Sequence, residues 1–182
     1  MSTLKNILRK KFKLVLPEGK RGFTIIETLV AVLIVAVAVI GTTIAVQSAL
    51  SSYNLSKDQV IAFYLGQEGI EQVRNVRDEN ILNGRYWLSG ISQLSTDACY
   101  FGHGCTPDPT QPVVLIGCSS PTTCPLVRRS SDGSYGYSIS WVATTFTRTI
   151  ILTPLTSNEI AMTVTVTWPK GSFKAKVNLY NW

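Results

Sequence analysis

The sequence predicts an α+β protein: one long amino-terminal helix packed on an antiparallel β-meander head. Three observations predict it. Residues 28–56 contain no charged side chain. Helical periodicity then continues with polar faces from Tyr53 onward. Finally, two long stretches near the other end alternate apolar and polar residues with period two, separated by a short turn.

The apolar segment, residues 23–46, is rich in Val, Ile, Leu and Ala all round. As a helix it would measure about 36 Å, enough to cross the roughly 30 Å hydrocarbon core of a bilayer. One ionisable group interrupts it, Glu27, near its amino-terminal edge. Upstream stand Lys5, Arg9, Lys10, Lys11, Lys13, Lys20 and Arg21 against the single acid Glu18. Such a basic arm stays cytoplasmic, which sends the rest of the chain outward. A cleaved secretory signal would carry small residues after its apolar run. Here Gly22 stands before it, so a cut there keeps the hydrophobic segment on the mature chain. An uncleaved signal anchor shares the run and the basic arm.

The stretch Gly22-Phe23-Thr24-Ile25-Ile26-Glu27-Thr28-Leu29-Val30-Ala31 resembles the prepilin-type cleavage and methylation motif of type IV pilins and type II secretion pseudopilins. That resemblance implies removal of residues 1–22 by a membrane prepilin peptidase and methyltransferase, with cleavage between Gly22 and Phe23 and N-methylation of Phe23. It implies a type IV pilin-like fold and a filament subunit, handled by an assembly platform and its ATPase alongside other pilin subunits. Gly22, lacking a side chain, lets a peptidase approach its carbonyl closely. Glu27 would cost several kcal/mol unpaired in lipid; the resemblance supplies the amino terminus of a neighbouring subunit as its partner. The bland alternative is an interfacial Glu favoured by the helix dipole. Many pilins also carry a helix-kinking proline; this chain has none between Pro17 and Pro107.

The formal charge of +6 invites a nucleic-acid reading, but its location does not. Residues 1–22 hold seven bases and one acid, leaving ten of each in residues 23–182. Once the leader is removed, no global field attracts DNA, and no nucleic-acid partner is expected.

Four domains are expected: the basic leader 1–22, a transmembrane and filament-core helix 23–52, its amphipathic continuation 53–84, and an extracytoplasmic β-rich head 85–182. In the continuation, Val60, Phe63, Ile70, Val73 and Val76 recur at helical spacing between charged residues. Arg74 can meet Glu71 or Asp78. Gly66 and Gly69 cost helix propensity and mark close packing against the head. Asn83-Gly84 ends a helix of about 90 Å.

Tyr86-Trp87-Leu88 is expected to open the head as a short strand. Residues 89–134, rich in Gly, Ser, Thr, Pro and Cys, read as a disulfide-pinned excursion with one apolar strand candidate, residues 113–116. Cys99, Cys105, Cys118 and Cys124 lie far beyond the membrane segment, and an exported compartment favours disulfides. Three pairings are open; the local pairs 99–105 and 118–124 lead, with the nested arrangement next. The spacing lacks the short CxxC of structural zinc sites, and His103 reads as a loop residue rather than a ligand. No metal and no cofactor are expected. Arg128-Arg129 reads as a solvated pair.

Thr- and Ile-rich residues 146–152 begin the meander, and a turn is expected around Pro154 to Asn158. Ile160, Met162, Val164, Val166 and Trp168 alternate with Ala161 and threonines; after Pro169-Lys170-Gly171, Phe173, Ala175, Val177 and Leu179 alternate with polar residues. A finer resemblance, to minor pilins of the pilus-modification class, rests on Gly66-Gln67-Glu68-Gly69-Ile70-Glu71-Gln72-Val73-Arg74, Phe146-Thr147-Arg148-Thr149-Ile150 and Leu179-Tyr180-Asn181-Trp182.

No phosphate loop, nucleophile–base set or paired acids point to an enzyme. The leading expectation is a minor pilin, stored in the cytoplasmic membrane and extracted into a pilus at the cell surface. A type II secretion pseudopilin is the near alternative, and a membrane-anchored adhesin or DNA-uptake subunit displaying residues 89–134 is the second class.

Overall fold

The structure, a computed structural model, describes residues 22–110, 114–119 and 124–182. The basic arm, residues 1–21, lies outside them, as does Val113 of the expected strand. The chain divides into two units, Met1–Ser48 and Ala49–Trp182.

Helix α1 is a 58-residue element, Ile25–Leu82. In the first unit its apolar side chains are exposed on every side, from Ile25 to Val46. Among the described residues nothing covers them, which suits a lipid or helical environment rather than water. Three threonines in this stretch turn their hydroxyls back onto the helix. Thr28 Oγ1 donates to the Ile25 carbonyl at 2.8 Å; Thr42 and Thr43 donate to the Val39 carbonyl at 2.9 and 2.8 Å. Every polar side chain so satisfied lowers the cost of a non-aqueous surrounding.

In the second unit α1 lies on a seven-stranded antiparallel sheet. Its buried face is Ala62, Leu65, Gly66, Gly69, Ile70, Val73, Arg77 and Asn80. This face is rotated from the expected one: Val60 stays 54% and Phe63 42% exposed. Glycine sets the rotation. A Cβ on Gly66 would stand 2.6 Å from Phe173 Cε1, and one on Gly69 would stand 3.1 Å from Arg148 Cδ. The helix closes with the Arg85 amide donating to the Asn80 carbonyl at 2.8 Å and the Gly84 amide to Ile81 at 3.0 Å. These are the two bonds of a Schellman cap, and Gly84 adopts its left-handed residue at φ +66°.

The next segment corrects an expectation. Residues 86–88 form turns, not a strand. Trp87, Leu88 and Ile91 plug the core, and buried Asn80 holds the turns by donating to the Ser89 carbonyl at 2.7 Å. The excursion also supplies more sheet than its composition announced. Strands β1 (Gly104–Asp108), β2 (Val114–Gly117) and β3 (Leu126–Arg129) come from it, followed by the two-residue β4 (Tyr135–Gly136). β1 pairs with β2 and, through Gly104 and Cys105, with β5.

β5 (Val142–Thr156), β6 (Glu159–Trp168) and β7 (Gly171–Tyr180) form the expected meander. β5 is longer than its composition suggested and carries Pro154 inside it, opposite Ile160, with a register irregularity just beyond. β6 lines one edge of β5 while β3 and then β1 share the other. Ile160, Met162 and Val164 are at most 1% exposed and pack beneath the helix with Ile150, Leu152 and Leu179, while Val166 packs with Ala62, Leu65, Phe146 and Trp168 in a second cluster. Disulfides join Cys99 to Cys105 and Cys118 to Cys124.

Candidate processing site and the helix–sheet junction

The start of α1 is built from four residues. Thr24 precedes the helix and acts as its N-cap: the Glu27 amide donates to Thr24 Oγ1 at 3.3 Å and to its carbonyl at 3.0 Å. Thr24-x-x-Glu27 has capping-box spacing. Among the described residues, however, the Glu27 carboxylate has no hydrogen-bond or ion-pair partner. It stands exposed in the first turn, where the helix dipole favours negative charge. Phe23 is 77% exposed. A methyl group placed on Gly22 would meet no described atom, so packing within the chain does not call for glycine there. Gly22, Phe23 and Glu27 therefore sit together as an accessible peptide bond followed by a capped helix with a free carboxylate. Sequence reading missed Thr24, although the capping-box spacing was visible.

The second cluster lies in the other unit, where helix and sheet meet. Arg148, on β5, is 1% exposed. Its Nη1 donates to Glu68 Oε2 at 2.7 Å and to the Leu65 carbonyl at 3.1 Å; Nη2 donates to the Pro107 carbonyl at 2.6 Å, and Nε to Thr106 Oγ1 at 3.2 Å. Thr106 shares a 2.6 Å hydrogen bond with Tyr137. One guanidinium thus links α1, β1 and β5, and its planar fork satisfies all four acceptors at once. Burial pushes the Tyr137 hydroxyl above its usual range, against the opposing pull of the nearby Arg148 charge and of its hydrogen bond with Thr106. The network is a structural clamp. The stretches around Glu68 and Arg148, distant in sequence, meet here.

A third contact fixes the last residues. Arg77 donates to the Tyr180 carbonyl at 3.0 Å, pairs with Asp78 at 2.6 Å, and lies 5.5 Å from the Trp182 ring. Arg74 pairs with Glu71 at 2.8 Å rather than with Asp78. His103 is exposed, edge-on to Tyr100. Arg128 is half-buried and bonded to backbone, so only Arg129 of that pair is a solvated cation.

Residues 19–43 match a family described as the prokaryotic N-terminal methylation motif. No curated protein and no solved structure matches the chain. The matched stretch takes in Gly22, Phe23, Thr24 and Glu27 and runs into the apolar part of α1. It supports a type IV pilin-like protein, of a family whose members are structural rather than catalytic. The motif implies processing by a prepilin peptidase and assembly with other pilins. With a helix long and apolar enough to cross a membrane, it supports membrane anchoring and a pilus or surface location.

Proposed function

We propose that this chain is a prepilin whose leader, residues 1–22, is cut from Phe23, and that the product serves as a minor subunit of a type IV pilus. The leader remains on the cytoplasmic side and the head faces outward, in keeping with the basic residues upstream of the span. Phe23 is N-methylated after cleavage, and the methylated amine of one subunit neutralises Glu27 of the next as the apolar helices stack. The span (23–52), its continuation (53–84) and the head (85–182) act as the anchor, the support and the displayed surface, and Cys99, Cys105, Cys118 and Cys124 brace that surface. The protein works as a building unit, not as an enzyme, without a metal or cofactor.

The observation that carries this reading is that the Glu27 carboxylate, at the start of the apolar stretch of α1, has no partner among the described residues and follows directly on an exposed Gly22–Phe23 bond. A carboxylate there is expensive in lipid unless a cation is brought to it. The same features serve a type II secretion pseudopilin, and the composition of the filament that holds the chain distinguishes the two. Mass spectrometry of the mature amino terminus is the test. A terminal fragment beginning with N-methylated Phe23 is expected; an intact Met1, or a cut after the apolar run, overturns the proposal.

A further inference from the structure

A cleft of about 640 Å³ opens where β3 ends and β5 begins, wholly within the unit Ala49–Trp182. Arg129, Ser130, Ser131, Ser140, Trp141 and Thr144 line it. Arg129 and its neighbour Arg128, which does not line the cleft, play different parts. Arg128 Nη1 donates to the carbonyls of Ile139 and Trp141 at 3.3 and 3.0 Å, pinning the loop that carries Ser140 and Trp141. Arg129 is exposed and, among the described residues, has no ion-pair partner.

The neighbouring turn leaves Arg129 free. The Ser130 amide donates to the Ser134 carbonyl at 2.9 Å, and Asp132 accepts from the Ser134 amide at 3.0 Å, so the acid of this turn is bonded within the turn and forms no ion pair with Arg129. Arg129 Nη2 passes Gly133, where an added Cβ would lie 3.7 Å away. Trp141 is half-buried and seated on Gly136, where an added Cβ would come within 2.9 Å of its ring. That contact fixes the indole without burying it. The cleft therefore presents a held aromatic ring, the Ser131 hydroxyl and one free guanidinium, with no acid among its lining residues; the Ser130, Ser140 and Thr144 hydroxyls are already bonded within the chain.

Each part has a counterpart in one ligand class. An indole packs against the C–H face of a pyranose, a hydroxyl exchanges hydrogen bonds with sugar hydroxyls, and a guanidinium takes a carboxylate in a two-pronged bond. The volume falls in the range of small-ligand sites. Single-stranded nucleic acid would also stack on an indole, but it needs a track of cations, and here there is one. We propose that this cleft binds an acidic saccharide, its carboxylate on Arg129 and a sugar ring against Trp141. The proposal does not depend on the pilin reading.

The test titrates the full chain in detergent micelles with two acidic probes, trigalacturonate and 3′-sialyllactose, and with neutral maltotriose and a thymidine trinucleotide. Saturation-transfer NMR and calorimetry report binding. At least one acidic probe is expected to bind, and maltotriose to bind about tenfold more weakly or not at all. Arg129→Gln, at an exposed side chain with no fold to lose, should weaken the acidic probe by about tenfold or more, and Trp141→Ala should do the same. Lys174→Gln on β7 should change nothing. Failure of both acidic probes, equal binding of maltotriose, tighter binding of the trinucleotide, or an unaffected Arg129→Gln variant overturns the proposal. Should Trp141→Ala fail to melt cooperatively, Arg129→Gln alone decides.

Discussion

Single residues at the two ends of the physics illustrate how charge is handled here. Glu27 is a carboxylate left open at a helix start, while Arg148 is a buried cation that donates to four acceptors. On the proposed reading, the first takes its partner from a neighbouring subunit. Glu27→Ala is expected to leave cleavage after Gly22 intact yet cut incorporation into filaments by roughly tenfold or more, because the neutralisation that relieves a carboxylate in a span is gone. Immunoblots of sheared filaments against membranes check it; unchanged incorporation would defeat the pairing idea. The second is finished within the fold, and its neighbour Tyr137 gives a pH signature. Burial raises the hydroxyl's folded pKa above the unfolded value of 10.0. The neutral form is therefore the one the fold favours: its contribution is complete below pH 10.0 and is lost as pH climbs through the raised folded value. Denaturation midpoints of the full chain should fall across that alkaline window, and Tyr137→Phe should flatten the fall. A Phe variant with the same alkaline profile would assign the loss elsewhere.

At the scale of elements, the helix–sheet seam is set by what is missing from its side chains. Hydrophobic periodicity pointed to Val60 and Phe63, yet the close approach runs along Gly66 and Gly69. Glycine carries no hydrophobic signal, so a pattern built on apolar side chains places the face slightly off. Its propensity cost of about 1 kcal/mol in a helix was the legible clue, because a helix keeps such residues where the neighbour needs the space. Gly69→Leu is expected to destabilise the head by about 2 kcal/mol or more, since Arg148 Cδ, Ile150 and Val164 leave no room and Arg148 is held by four acceptors. Unfolding followed by near-ultraviolet circular dichroism measures it. The strands of the excursion escaped composition for a related reason. β1 is Gly-Cys-Thr-Pro-Asp, poor in strand formers, and is extended because Cys105 and Thr106 fill the core while β2 and β5 flank it. Trp87 and Leu88 went the other way: apolar enough for a strand, they are core plugs on turns held by Asn80.

For the molecule as a whole, the head is a helix on a sheet stapled at two places that differ in burial. Cys99 and Cys105 are completely buried, whereas Cys118 is half-exposed. Each disulfide closes a short loop, worth about 2 kcal/mol in chain entropy. Replacing Cys99 and Cys105 together by Ser should cost more than that, because two hydroxyls enter an apolar core. The same change at Cys118 and Cys124 should cost less, because Cys124 is buried but Cys118 is half-exposed, so one hydroxyl is buried there instead of two. Denaturant midpoints of the two variants compare directly, and an equal loss would show that burial of the first bridge adds nothing.

By itself, the sequence determined whatever depends on local or one-dimensional chemistry. An uncharged apolar run with an acid at its start, Gly22 before Phe23, the Asn83-Gly84 stop and the period-two alternation of β6 and β7 are all readable in linear order, since each property belongs to neighbours along the chain. Only the tertiary structure decided that Arg148 reaches Glu68 across 80 residues, that Val60 and Phe63 stay exposed beside the glycine seam, that a Cys–Thr–Pro segment becomes a strand between two others, and that Arg128 is spent on a loop while Arg129 has no ion-pair partner among the described residues. Those outcomes depend on which distant group arrives opposite a residue, and a buried polar side chain takes its role from the partners that folding brings to it.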